Sequence, residues 1–337
     1  MTNKIDTPLI RLDWDAANEL VDNANNIVTV THVGPDGDAI GSLMGLTIAL
    51  REHGKMVTPV VDGGCPDFLR FIPYSEDIRG TVDDLKPDLV ISTDASDQPR
   101  IGKTGNQVLT NNGAPLVQLD HHQTNLLFGD ANLVDARTVA AAEGVLDWIT
   151  ERDWDISQES AQALLTGFVT DTLCFRTSNV TASTFGKAQT LMEAGADLTL
   201  IVQNTMARKP TSRHRLYGHV LSRMKLEDGV IWLSLTVEDF KFAGMPLGEY
   251  TGLSGYLIEA DEAFISATFK EIEKTVIECS FRAVPGFDVS QVALSLGGGG
   301  HVLASGCTIT GKTLDQVEEM VVPMLKKQVQ LGTPLYR

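Results

Sequence analysis

The 337-residue chain is poor in cysteine, in basic residues and in aromatics, and it has no long apolar run. Its four cysteines, Cys65, Cys174, Cys279 and Cys307, are scattered without a Cys-x-x-Cys pair. That excludes a disulfide framework and a cysteine-built zinc knot, fits a reducing compartment, and makes each thiol a small hydrophobe. No apolar stretch approaches the roughly 20 residues of a membrane span, and the first thirty residues lack the order of an export signal. A cytoplasmic location without a membrane partner is therefore expected. Lysine and arginine number 27 against 44 acidic residues, a formal net charge of −17. This speaks against long duplex nucleic acid, whose binding needs many cationic contacts to phosphate. It leaves room for small phosphorylated substrates, because carboxylates that hold cations count as negative while the metallated site presents positive charge to an anion.

What is present is an alternation of strand-like and helix-like segments. The β-branched runs NIVTVTHV (residues 26–33), KMVTPVVDGG (55–64), KPDLVISTDASD (86–97) and GAPLVQLDHHQTN (113–125) each end in acids, histidines or turn residues. Helical spacing follows the first at Ile40, Leu43, Leu46 and Leu50, and recurs at Val139, Ala142, Leu146 and Ile149. The expected fold is α/β: an N-terminal domain (1–195) with a mostly parallel sheet of about five strands flanked by helices. A polar, arginine-bearing stretch broken at Pro210 predicts a helical linker (196–225). The remainder (226–337) predicts a smaller α+β domain with a mixed sheet. Its strands are 229–237, 263–272 and 274–284, the last two forming a hairpin. A helix follows at 289–296, then a glycine run, then a final helix at 313–330.

The polar residues at the strand ends form a pattern. His32, Asp36 and Asp38 follow the first strand, Asp94 another, and Asp120, His121 and His122 the next, while Asp171 follows a small-residue bend in ALLTGFVTDTLCFRT. In a parallel sheet such ends share one edge, where open α/β proteins bind ligands, so these groups can converge. Singly, each has an ordinary reading as a turn, a polar loop or a helix cap. Together they read as a metal centre. Mixed histidine and carboxylate donors suit Mn²⁺, with Mg²⁺, Co²⁺ or Zn²⁺ as alternatives. About seven donors exceed what one ion takes, which points to two. Two ions roughly 3.5–4 Å apart can share a carboxylate and a hydroxide, and the hydroxide can attack phosphorus in line.

HVGPDGDAIGS, STDASD, LDHHQTN and GFVTDT resemble the four successive motifs of the DHH phosphoesterases, in order. SFRA and GGGGHVLASGC resemble the phosphate- and nucleotide-binding motifs of the C-terminal domain that accompanies them. The resemblance spans nearly the whole chain and is nearest to the oligoribonuclease and pAp-phosphatase branch. It implies that His32, Asp36 and Asp94 hold one ion and that Asp38, Asp94, His121 and Asp171 hold the other. Asp94 is then the bridge, His122 lies beside the second ion, and Asp120 orients its histidine neighbours. Asp94, Asp120 and His122 are thus the expected catalytic set.

In the second domain the glycines permit backbone conformations that aim successive N–H groups at an anion. Arg282 and His301 add side-chain donors. The expected substrate-binding residues are Arg282, Gly298, Gly299, Gly300 and His301. Two departures from the family's pattern, Leu173 where glycine is common and Ala283 where serine is, bear on pocket shape.

The resemblance implies hydrolysis of very short RNA or DNA oligonucleotides from an end and of 3′-phosphoadenosine 5′-phosphate, with a homodimer allowed. The alternatives are hydrolysis of linear or cyclic dinucleotides such as pApA and cyclic di-AMP, an inorganic pyrophosphatase, and a non-catalytic nucleotide sensor. The pyrophosphatase lacks its Ser-Arg-Lys-Lys segment here, where the nearest text is MLKKQ (324–328). A sensor has no need of every ligand.

Overall fold

The computed structural model describes residues 7–82, 85–249 and 251–335. The chain divides into two compact units, one ending at Arg208 and the other starting at Lys209. In order, the first unit contains β1 (Ile10–Leu12), α1 (Trp14–Asn23), β2 (Asn26–Val30), α2 (Gly37–Glu52), β3 (Met56–Val60) and β4 (Leu89–Thr93). It continues with α3 (Gly102–Asn112), β5 (Leu116–Asp120), β6 (Ala131–Asp135), α4 (Ala141–Glu151), α5 (Gln158–Asp171), α6 (Ala182–Glu193) and α7 (Leu198–Val202).

The sheet order is β1-β6-β5-β4-β2-β3, parallel throughout except that β1 runs antiparallel to β6. Strands β4 and β5 are buried along their whole length, as β-branched strands covered on both faces must be. Pro59 sits on the edge strand β3, opposite Thr29, where a missing N–H is tolerated. The expected mostly parallel sheet is present, with six strands in place of about five. The short segments IRL and ANLVD, too brief to show a period, supply the last two strands on the β5 side, with β6 beside β5 and β1 at the edge.

Chain order reverses between β2 and β4. From β2 the chain steps to β3 on one side, then returns to lay β4 and β5 on the other. The C-terminal ends of β2, β4 and β5 are adjacent there, at the crevice such a reversal creates.

Helix α2 is the unit's central element. Asp36 caps it, its Oδ1 accepting the Asp38 and Ala39 N–H groups at 3.0 and 3.1 Å. All residues from 37 to 50 are buried, so the four leucine and isoleucine positions read from spacing are one face of a helix enclosed on every side. Gly37, Gly41 and Gly45, one turn apart, face α5. A Cβ at Gly41 would lie 2.6 Å from the Ala163 carbonyl and 2.8 Å from the Gly167 nitrogen, and one at Gly45 would lie 2.6 Å from Leu164 Cγ. Glycine is what allows the two backbones to touch.

The second unit contains α8 (Thr211–Val220), β7 (Lys225–Glu227), β8 (Val230–Leu235), α9 (Val237–Ala243), α10 (Leu253–Leu257), β9 (Ile265–Glu273) and β10 (Val276–Ala283). Then come α11 (Ser290–Ser295), β11 (Gly299–His301), β12 (Ala304–Thr310) and α12 (Leu314–Leu331). Its mixed sheet has the order β11-β12-β10-β9-β8-β7, with β8 parallel to β9 and the expected β9–β10 hairpin antiparallel. Strand β10 alternates between half-buried and buried, its inward Ile277, Cys279, Phe281 and Ala283 forming a core with Val317, Val321 and Leu325 of α12. Leu216 and Val220 of α8 are buried with Ile231, Leu233 and Leu235 in a second cluster.

Candidate metal centre

Strand β2 ends at Val30, and two residues later His32 is buried with its Nδ1 against the Val33 carbonyl at 3.0 Å. That contact turns Nε2 toward Asp94 Oδ2, 3.3 Å away. Asp94 follows β4 directly, is 3 % exposed, and holds a left-handed backbone at φ 54°. Its N–H donates to the Leu119 carbonyl at 3.0 Å, which ties it to the end of β5. Asp120 closes β5, and His121 and His122 follow. His121 Nε2 lies 3.6 Å from Asp94 Oδ1, 3.6 Å from Asp171 Oδ2 and 3.8 Å from Asp38 Oδ2.

Three groups of donor atoms result, each within 4.8 Å of one another: His32, Asp36 and Asp94; Asp38, His121 and Asp171; and Asp94, Asp120, His121 and His122. All eight acids and histidines singled out in the first domain's sequence are therefore brought together. Both oxygens of Asp120 are engaged by side chains that follow it on the same loop. Oδ1 accepts from His122 Nδ1 at 2.8 Å and Oδ2 from Asn125 Nδ2 at 2.5 Å. It sets the orientation and tautomer of His122, as carboxylates behind such histidines commonly do.

Asp171 reaches the cluster otherwise than by a bend: it is the last residue of α5. The close α2–α5 contact delivers it to Asp38, which lies at the start of α2. Asp38 in turn accepts the Ala141 and Ala142 N–H groups at 2.6 and 2.9 Å, at the N-terminus of α4. Those amides and the positive end of the helix dipole hold the carboxylate with both oxygens oriented. Sequence reading missed the α4 amides, Asn125 and the glycine stripe. Only the stripe had a visible signal, the four-residue glycine spacing in GDAIGSLMG.

The charges are unbalanced in a way that fits divalent cations. Burial pushes Asp38 well above the ordinary carboxylate range, with Asp94 and Asp171 adding to the effect. Burial likewise pushes Asp171 up to about 6, reinforced by Asp94 and Asp36 and opposed by His121. For Asp94 burial is outweighed by hydrogen bonds from His121 and His32, which hold it low. Both histidines are raised against their own desolvation, chiefly by Asp94. Four carboxylates with two to three imidazoles in a buried crevice are a donor set for intermediate or hard divalent ions.

In the second unit Arg282 on β10 pairs across the ladder with Ala304, which pairs with His301 on β11. Arg282 and His301 therefore share one sheet face with a small alanine between them. One Arg282 Nη donates to the Phe281 carbonyl at 2.8 Å. The glycine run differs from a simple anion loop. Only Gly297 and Gly300 take left-handed φ, at 78° and 129°. Gly298 is instead a site of close packing, where a Cβ would sit 2.5 Å from Cys307 Cβ, and Gly299 pairs with Gly306 in the β11–β12 ladder.

An acid and histidine cluster at the switch point of a parallel α/β sheet is a ligand site whose donors could hold divalent cations, as in metal-dependent hydrolases. The family described as DHH family, N-terminal domain, matches residues 26–168. The chain is 33 % identical over 308 residues to the bifunctional oligoribonuclease and PAP phosphatase NrnA of Thermus thermophilus, covering 90 % of each. It is 25 % identical over 327 residues to the cyclic-di-AMP phosphodiesterase PdeA of Listeria monocytogenes, covering 93 % of this chain and 49 % of that one. A crystal structure of an exopolyphosphatase-related protein from Bacteroides fragilis superposes with a TM-score of 0.87 at 28 % identity, over 94 % of this chain and 97 % of that one. The chain belongs to the DHH family and is a phosphoesterase. Among the described residues no helix is long and apolar enough to cross a membrane.

Proposed function

We propose that the protein is a two-metal phosphohydrolase that cleaves very short oligonucleotides from an end and removes the 3′ phosphate of 3′-phosphoadenosine 5′-phosphate. The observation that carries this reading is the donor geometry, two triads joined through Asp94 and His121. His32, Asp36 and Asp94 would hold one Mn²⁺, and Asp38, Asp94, His121 and Asp171 the other, with Asp94 between them. When bound, the pair supplies water activation at neutral pH and charge stabilisation for in-line displacement at phosphorus.

The chain's own residues do the rest. Asp120 holds His122 at the edge of the cluster, where its imidazole orients the scissile phosphate. The α4 amides keep Asp38 from swinging as substrate enters. In the second unit Arg282 and His301, which share one sheet face, bind nucleotide phosphate and sugar with Gly299 and Gly300 beside them, whereas the Gly298 N–H is already donated to the Ala293 carbonyl at 2.8 Å. Similarity to NrnA over nine-tenths of both chains supports this substrate class. Similarity to PdeA supports linear or cyclic dinucleotides as a second reading.

The test is a substrate panel with Mn²⁺: dinucleotides to hexanucleotides, 3′-phosphoadenosine 5′-phosphate, cyclic di-AMP and pyrophosphate, each with wild type and Asp94→Ala. Turnover of the dinucleotides and the bisphosphate, abolished in a folded D94A, is expected. Near wild-type turnover by D94A would sink the two-metal assignment, and a preference for cyclic di-AMP or pyrophosphate would replace the substrate.

A further inference from the structure

Helix α4 begins in the segment VAAAE (139–143), whose first four side chains are apolar and buried. The first amides of a helix need acceptors from outside it, and Ala140, the residue before α4, has no side-chain oxygen to offer. Asp38 of α2 takes the Ala141 and Ala142 amides instead, so a carboxylate of the cluster caps α4 across the fold. Four apolar side chains give that turn packing but no directional anchor. Glu143 gives it one. Its Oε2 accepts the Val139 N–H at 2.8 Å, reaching back over the turn as the acid of a capping box does, and its Oε1 accepts from Lys187 Nζ of α6 at 2.8 Å. Lys187 also pairs with Asp147, one turn further along α4, at 2.6 Å.

The Glu143 side chain is 7 % exposed and that of Lys187 25 %. An ion pair so enclosed is weak evidence of a stabilising role, because apolar residues of the same volume often do as well. What this pair does is directional: the turn it anchors is the one whose amides orient Asp38. We propose that Glu143, backed by Lys187, is a positioning residue of the metal centre: it fixes the Ala141 and Ala142 amides, and through them the direction in which Asp38 presents its oxygens to a cation. This rests on the metal-centre reading above and gives a task to a residue that holds no ion itself.

The test is calorimetric titration of Mn²⁺ into the chelator-treated full chain, with a melting curve for each variant. Wild type should take up two ions. Glu143→Ala should weaken the ion held through Asp38 about 10- to 100-fold, the usual effect of removing a group behind a ligand, and leave the ion at His32 and Asp36 within about threefold. Glu143→Asp keeps the charge but falls one methylene short of the Val139 N–H, so it should weaken the same ion and serves if the alanine variant does not fold. Glu143→Gln keeps an acceptor for that amide and should restore affinity to within about threefold of wild type. Asp147→Asn disturbs the same lysine without touching the turn and should leave both affinities unchanged. Unaltered affinities in folded Glu143→Ala and Glu143→Asp, a Glu143→Gln as weak as Glu143→Ala, or equal weakening by Asp147→Asn would each overturn the assignment. A wild type that binds one ion would overturn the two-metal reading and this assignment with it, so the two failures are told apart.

Discussion

Gly41→Ala adds one methyl group at the point where α2 touches α5, and its consequences follow from distances already given. The new Cβ would lie 2.6 Å from the Ala163 carbonyl oxygen and 2.8 Å from the Gly167 nitrogen, where ordinary contacts begin at 3.4 Å. Both obstacles are backbone, so no side chain can swing aside, and the helices must part by about 0.6–0.8 Å. Overpacking of this kind costs about 1–3 kcal/mol, and alanine's better helix propensity offsets about 1 of it. The net loss should be roughly 0–2 kcal/mol, a melting point lower by a few degrees. Activity should fall further. Asp38 precedes Gly41 by one turn and Asp171 follows Gly167 by one turn, and both meet at His121 Nε2, 3.8 and 3.6 Å away. Misplacing reacting groups by about 1 Å can cost about 100-fold, so kcat on a dinucleotide should drop about 10- to 100-fold. The assay is kcat and KM at saturating Mn²⁺ beside a melting curve. Gly186→Ala on α6, where a Cβ meets nothing within 4 Å, is the control that should be neutral or stabilising. A G41A enzyme within threefold of wild-type kcat would refute the claim that helix contact sets the cluster.

Other perturbations separate the parts. Arg282→Ala should raise KM for nucleotides with little change in kcat, and unaltered nucleotide kinetics would remove Arg282 from the binding set. Chelation should lower the melting point and Mn²⁺ at 100 times its dissociation constant should restore about 5–10 °C, since such binding contributes about 2.7 kcal/mol. Because Asp171 sits up at about 6 and His121 is raised too, protons compete with the ion. Affinity should therefore rise as pH climbs through about 6, and a pH-independent affinity would contradict the charge argument. In the second unit, burial raises Asp239, but hydrogen bonds from Arg223 and Thr236 outweigh it and hold the carboxyl below its ordinary 3.8. A depressed folded pKa gives stability that is full above the unfolded value and lost as pH falls below it. The roughly 1–3 kcal/mol by which wild type exceeds Asp239→Asn at pH 7 should shrink between about pH 5 and 3 in urea unfolding, and a constant difference would refute the pairing.

How much was legible depended on where each group hangs. His32, Asp94 and Asp120 to His122 follow β-branched runs whose ends a parallel sheet must align, so composition and spacing sufficed. Asp171 was equally visible as a residue, but its element was not. Helix α5 is buried from Ser160 to Val169, and a helix covered on all sides shows no amphipathic period. The amides of Ala141 and Ala142 could not be read at all, since a backbone donor has no letter in the sequence. Glycine posed the converse difficulty, a letter with several meanings. At Gly37, Gly41 and Gly45 it means contact between helices, at Gly298 contact with Cys307, and at Gly297 and Gly300 a left-handed turn. The anion-loop reading treated residues 297–300 as one kind of glycine because β12 had not been recognised. Its sequence ASGCTIT interrupts the alternation at Gly306, the residue against which Gly299 pairs. Once that strand is present, the run divides into packing and turning positions, and Arg282 and His301 emerge on one face across Ala304. Backbone conformation posed a third difficulty: Leu173, Cys174 and Phe175 all take left-handed φ just past the end of α5, and no letter in TDTLCF announces it.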